Sequence, residues 1–161
     1  MRWLKEDQSA DVRFTTMFDL YRLPSNFPSY ETAKRNEPYK RVEILESALS
    51  EDINDSRFIP YIQIHEFETL IFADPEKLAN AYLGYQNKLN PLRKISLEIN
   101  PELINDGAET APSKRILQII PEYSKVVGGI DVVGAIGIDK IRARCQHFNH
   151  WLEKLEALSQ G

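Results

Sequence analysis

An α/β fold, a small parallel sheet flanked by helices with a helical C-terminal half, follows from three features of this 161-residue chain. Two runs, VRFTTMFDL (12–20) and FIPYIQIH (58–65), are dense in β-branched and aromatic residues and apolar on both alternating faces, as strands covered on both sides are. An amphipathic helix lies between them, and strand, crossover helix, strand is the βαβ unit of a parallel sheet, crossed over right-handedly. Beyond residue 74 the pattern turns helical and is punctuated by proline. The length fits one domain over 1–161, with a βαβ core at 12–74 and a mainly helical part at 75–161.

Each element has a local cause. The strand over 12–20 runs into Tyr21–Asn36, where Pro24, Ser25, Asn26, Pro28 and Ser29 predict a long structureless loop, the kind that is functional or mobile. Pro38 suits a first helical turn, and Val42, Leu45, Leu49 and Ile53 then recur at three- and four-residue spacing, a helix of about four turns. Pro60 places the first half of the second strand at an edge or bulge. Asp74-Pro75 reads as an N-cap followed by proline at the first helical position, with Gly84 as the stop, and Asn90-Pro91 and Asn100-Pro101 repeat that start signal. Ser113 to Ile120 makes a short helix. A longer one over 139–158 carries Ile141, Cys145, Phe148, Leu152 and Leu155 on one stripe.

Charge narrows the function classes. Twenty Lys and Arg against 24 Asp and Glu leave a net charge of −4 and no global basic field, so any contact with nucleic acid is local or metal-bridged. No apolar run approaches the roughly 20 residues of a membrane span. A charged N-terminus without an apolar signal core and a single Cys145 predict a soluble protein of the reducing cytoplasm. Gly128-Gly129 and Gly134-x-x-Gly137 lack the six-position pattern and the preceding strand of a dinucleotide loop.

The candidate chemistry lies at the strand ends, because open α/β sheets bind ligands at the carboxyl ends of their parallel strands. Asp19 ends the first strand and reads either as a metal ligand or as a cap of the following loop. His65-Glu66-Phe67-Glu68 ends the second. Should the strand continue through Glu68, Glu66 and Glu68 share a face. Should a helix begin at Glu66, residues two apart diverge by about 200° and only one reaches the site. Phe67, Leu70 and Ile71 favour the helix, which makes Glu66 the preferred ligand and Glu68 a solvated or dipole-complementing first-turn carboxylate. Ser113-Lys114-Arg115 opens a helix and offers amide donors with two cations, a local anion site to which Lys125 adds a third. Asp74 reads as a helix cap, His65 as a core-edge histidine, His147 and His150 as solvent-facing, and Cys145 as a small buried hydrophobe.

Taken together, TTMFDLYRLPSNFP, RFIPYIQIHEFETLIFADP, INDGAETAPSKRIL, PEYSKVVGG and IGIDKIRARCQHFNHWLEKL resemble a bacterial domain-of-unknown-function family grouped with Toprim-like proteins, over about Val12 to Leu158. The resemblance implies the Toprim fold of topoisomerases, primases and OLD-family nucleases, in which strand-end carboxylates hold divalent metal for phosphodiester chemistry. Toprim sites use a Glu in a Gly-containing loop after the first strand, an Asp-x-Asp at a later strand end, and often a further acidic pair. Asp19-Leu20-Tyr21 matches the first Asp only, with Tyr21 in place of the second. Glu66-Phe67-Glu68 is similar to the further pair, and Lys114 or Lys125 to the lysine that OLD-like nucleases place near the scissile phosphate.

The Glu-bearing loop of that pattern is expected upstream, in a stretch resembling Glu-Gly-x-Thr-Glu, with residues 1–11 as the end of the helix linking it to Val12. The chain therefore reads as an N-terminally shortened form. What the resemblance implies is a Mg²⁺- or Mn²⁺-dependent nuclease or phosphotransfer domain in anti-phage defence, weakly active or inactive in this shortened form. Asp19, Glu66 and Lys114 would be its catalytic residues, and Asp19, Glu66 and Glu68 its metal ligands. The rival reading is a non-catalytic subunit that docks an AAA-type ATPase, the partner the resemblance implies; nucleic acid is a further partner of the first reading. The exposed sheet edge left by the absent strand predicts a homo-oligomer.

Overall fold

The two expected strands pair in parallel, but as two short pieces each. The structure is a computed structural model that describes residues 2–104, 107 and 109–160, so Asn105, Asp106 and Ala108 of the INDGAETAPSKRIL phrase lie outside the described residues. Strand β1 (Phe14–Thr15) lies beside β3 (Phe58–Ile59), and β2 (Phe18–Asp19) beside β4 (Ile62–Gln63). One register carries across the break: Phe14 faces Phe58, Thr15 Ile59, Phe18 Ile62 and Asp19 Gln63. Pro60, which has no N–H to give, interrupts the ladder. A side chain then bridges the gap, because Thr16 Oγ1 accepts the Tyr61 N–H at 3.1 Å and donates to the Tyr61 carbonyl at 3.1 Å. Helices flank these two small sheets, so the α/β class holds while the continuous strands of the sequence reading do not.

By its contacts the chain divides into two compact units, Met1–Gln63 and Ile64–Gly161. The first holds both sheets with α1 (Arg2–Glu6), α2 (Tyr30–Ala33) and α3 (Pro38–Ile53). Helix α3 begins at Pro38 because the Glu37 carboxylate accepts the N–H groups of Tyr39 and Lys40, at 3.0 and 2.6 Å, and it ends at Asn54, whose left-handed φ of 47° suits an asparagine terminator. Its Val42, Leu45 and Leu49 are buried, and Leu49 joins Leu4 and Phe58 in a cluster against which Phe14, Phe27 and Ile53 pack. Glu46 lies on the same buried face. Its Oε1 accepts the Ile62 N–H at 2.8 Å, so a carboxylate satisfies a strand donor where a further strand could pair. The expected long loop over 21–36 is largely ordered by a single 3-10 turn, Leu20–Arg22, and by α2, pinned by the buried Leu20 and Ala33.

The second unit is built around an unusual axis, a seven-residue 3-10 helix, Phe67–Ala73, in which Leu70, Ile71, Phe72 and Ala73 are almost wholly buried. Runs of this length are uncommon because 3-10 hydrogen bonds are poorly aligned, and outside groups support this one. Thr69 Oγ1 donates to the Ile64 carbonyl at 3.2 Å, and Ser96 Oγ to the Phe72 carbonyl at 2.8 Å. After α4 (Leu78–Ala81), helices α5 (Asn90–Glu98), α6 (Pro112–Ile119), α7 (Gly128–Ile136) and α8 (Ile138–Arg144) pack on it, and α9 (Gln146–Ala157) follows. No helix among the described residues is long and apolar enough to cross a membrane.

Two expectations need correction here. Asp74 makes no side-chain cap; its carboxylate instead pairs with Lys140 at 2.8 Å, and the turn after Pro75 is 3-10 before α4 begins. The single helix expected over 139–158 is two, broken at Cys145, which takes extended backbone angles. The buried Glu102 carboxylate explains the break: it accepts the N–H groups of His147 and Phe148, both at 3.0 Å, and so caps a fresh helix start.

Glu46→Leu should destabilise the chain by about 1–3 kcal/mol in urea unfolding, because it strands a buried N–H, whereas Glu46→Gln, which keeps an acceptor, should lose much less. Thr16→Val should cost about 1 kcal/mol by the same measurement, through loss of the hydroxyl that spans the Pro60 gap.

Candidate functional site

Glu66 and Glu68 enter the second unit from a turn that neither sequence alternative described. His65 takes a left-handed φ of 64°, Glu66 is extended at φ −150° and ψ 167°, and the 3-10 helix starts only at Phe67. Strand geometry at one residue and helical geometry at the next let both carboxylates reach the same cation. Lys125 Nζ lies 2.9 Å from Glu66 Oε2 and 3.5 Å from Glu68 Oε2. Both glutamates are nearly solvent-free, with 4% and 2% of their surface exposed, so the solvated reading of Glu68 is overturned: packing of the 3-10 helix against its neighbours buries it. The Lys125 side chain is half exposed.

The other oxygen of Glu66 accepts the Ser113 N–H at 2.6 Å, at the start of α6. At the expected Ser113-Lys114-Arg115 helix start, the anion on the Ser113 N–H is the chain's own Glu66 carboxylate. Lys114 is exposed on the first turn of α6, while Arg115 turns its Nε to the Thr110 carbonyl at 2.6 Å. Of the two lysines weighed from sequence, Lys125 is the one on the acidic pair. Asp19 belongs to the other unit, at the end of β2, where it is half-buried and in register with Gln63. Among the described residues, no three His, Cys, Asp or Glu side chains converge as a metal-binding group.

Tyr123, which sequence reasoning passed over, completes the cluster. Its hydroxyl donates to Glu68 Oε1 at 3.5 Å, and its ring packs 5.9 Å from that of Tyr82 between centroids. The Tyr82 hydroxyl in turn accepts the Ser124 N–H at 3.0 Å. The start of α7 closes over both phenols because residues 128 and 129 are glycine: a Cβ there would stand 1.8 Å from the Tyr82 oxygen and 2.9 Å from the Tyr123 oxygen. The glycine pair was the available signal, since a Gly-Gly helix start marks a close approach.

The electrostatics follow from these contacts. Burial alone would push the Glu66 carboxyl up, yet the Ser113 N–H and the Lys125 ammonium outweigh it and hold Glu66 below its ordinary value. Burial works against the Lys125 ammonium as well, and the two glutamates overcome it, so Lys125 holds its proton more tightly than a free lysine. Burial, then the negative charge of Glu68, pushes the Tyr123 phenol far up, which keeps it a hydrogen-bond donor.

The fold and this cluster define a mixed α/β protein with a buried acidic pair held on a half-exposed lysine. The chain belongs to the family described as domain of unknown function DUF4276, whose model matches residues 1–156. No curated protein and no solved structure matches it.

Because the Glu66 value is depressed on folding, its contribution to stability is complete above the unfolded carboxyl value of about 4.3 and is lost as pH falls through the folded one. Urea unfolding of the wild type from pH 7 downward should show that loss, and Glu66→Gln should lack that part of the slope. Gly128→Ala should lower stability by about 1–3 kcal/mol, because Tyr82 must leave its place on the Ser124 N–H to admit the methyl group.

Proposed function

We propose that the chain is a Toprim-like phosphotransfer domain, a divalent-cation-dependent nuclease of the cytoplasm, whose working groups are Glu66, Glu68 and Lys125. The observation that carries this reading is the pair of nearly solvent-free carboxylates sharing one half-exposed ammonium. Buried carboxylates of this kind are costly unless compensated, and the Ser113 N–H, the Tyr123 hydroxyl and the Lys125 ammonium take part in that compensation here. The donor set suits Mg²⁺ or Mn²⁺, since both prefer oxygen ligands and Mg²⁺ is commonly held by one or two carboxylates. When bound, such an ion supplies a water of lowered pKa and neutralises charge on the phosphate.

The chain's own residues do the rest. Ser113 N–H fixes one oxygen of Glu66 and leaves the other directed at Lys125. Tyr123 orients Glu68 from the opposite side. Lys125, on a flexible stem with half its surface in water, moves its ammonium from the glutamates to a substrate phosphate oxygen. Lys114, exposed one residue beyond Ser113, adds a cation along the path of a bound strand. Asp19, expected from sequence as a third ligand, is not required by this arrangement.

A second reading, a subunit docking an AAA-type ATPase, is supported by the exposed apolar residues Val126, Val127 and Ile130 at the start of α7. Mn²⁺ titration separates the two. Under the nuclease reading, wild type gains thermal stability with millimolar Mn²⁺, by about 2.7 kcal/mol at a hundredfold excess over Kd. Lys125→Met, which removes the tethered cation, binds the ion more tightly but fails to cleave single-stranded or duplex DNA or RNA. Glu68→Gln abolishes the ion response. Indifference of both wild type and Lys125→Met to Mn²⁺, with no cleavage of any substrate, leaves the docking reading.

A further inference from the structure

The carboxyl end of the first unit's strands carries a cavity of its own, of about 480 Å³, within the range of small-molecule sites. Its walls are apolar and aromatic. Phe27 is held by the core cluster of Leu4, Leu49 and Phe58, so one wall is rigid; Phe18, 39% exposed, and Pro24 form others. Two charged groups of opposite sign also line it, the Asp19 carboxylate at the end of β2 and the Arg22 guanidinium. Arg22 sits in the single 3-10 turn anchored by buried Leu20, and its guanidinium lies 5.5 Å from the centroid of the exposed Tyr21 ring.

We infer that this cavity is a binding site for an amine-bearing nucleotide, AMP-like or CMP-like, with the base among Phe18, Pro24 and Phe27, its exocyclic amine on Asp19 and its phosphate on Arg22. The argument is one of matching chemistry. Flat apolar walls suit a ring with two faces, and phenylalanine stacks any base. A carboxylate accepts and cannot donate, so it selects a base edge that presents N–H groups, as the amine-bearing bases adenine, cytosine and guanine do and uracil at its O4 does not. A guanidinium matches phosphate in charge and in the geometry of its paired donors. The location fits as well, since ligands of open α/β sheets gather outside the carboxyl ends of the parallel strands. The loop over 21–36, whose composition reads as that of a functional or mobile segment, supplies Arg22, Pro24 and Phe27. None of this depends on Glu66, Glu68 or a metal ion.

The test is calorimetric titration in the presence of a chelator, which keeps it separate from the divalent-cation reading. AMP and CMP should bind with submillimolar Kd, and UMP about tenfold more weakly. Adenosine should also be about tenfold weaker than AMP, and Arg22→Gln, an exposed position that leaves the fold intact by circular dichroism, should erase the AMP-to-adenosine difference while sparing adenosine. Asp19→Asn keeps the shape and introduces donors, so it should narrow or reverse the preference for AMP over UMP. A 5′-phosphorylated oligoadenylate that binds as tightly as AMP identifies the end of a strand as the natural source, and weaker binding identifies the free nucleotide. No saturation by any nucleotide at millimolar concentration, equal affinity for UMP and AMP, tighter binding of phenylalanine than of AMP, or equal losses of AMP and adenosine in Arg22→Gln would overturn the inference.

Discussion

The Glu66 carboxylate ties two separate segments of the second unit to the turn that begins it. One oxygen closes the start of α6 through the Ser113 N–H, and the other holds Lys125, which fixes the segment leading into α7. Hydrogen bonds to a buried charge contribute roughly 1.5–3 kcal/mol each, and removing one partner strands the other, so the interaction is worth most through what its loss would leave exposed. The same device recurs. Glu102 caps α9, Glu37 caps α3, and Glu46 satisfies a strand donor in the first unit. Glu37 does so at the surface, whereas the carboxylates of Glu46, Glu66 and Glu102 are buried ties to backbone amides.

That economy has a functional consequence. A helix start with two adjacent cations is a ready anion site, and in this protein Glu66 already occupies it. Under the proposed reading, the carboxylate that holds α6 would also be the one used for metal chemistry, with Glu68 beside it and Lys125 between. Lys125 is the most exposed member of the group and the most easily displaced, since an ammonium on a flexible stem gives up one anion for another at small cost. Tyr123 and the glycine pair at 128 and 129 pack closely beside the cluster, while Lys125 is the member that meets solvent.

Much of the frame was legible because it rests on local rules. Strand composition, the proline at the start of α3 and the three- and four-residue spacing of Val42, Leu45 and Leu49 each act within a few residues. The parallel pairing followed from the crossover between strands, and the structure bears it out in a single register. Proline at 60 announced a defect; its repair by the Thr16 hydroxyl was invisible, because it depends on which residue the pairing sets opposite the gap. Asp74 illustrates the reverse error. Its sequence context is that of a cap, yet Lys140, distant in the chain, offered the carboxylate a stronger partner.

The amino-acid sequence alone therefore determined the class of fold, the order of its main elements and the acidic end of the first strand, because periodicity and backbone preference are read within a turn or two. Only the tertiary structure decided how the charges were used. The burial of Glu68, the choice of Lys125 over Lys114, the capping of α6 and α9 by glutamates some 45 residues away and the break at Cys145 all turn on long-range contacts. A charged group goes wherever its desolvation is best compensated, and that place is set by the folded backbone's amides and cations, which no local pattern encodes.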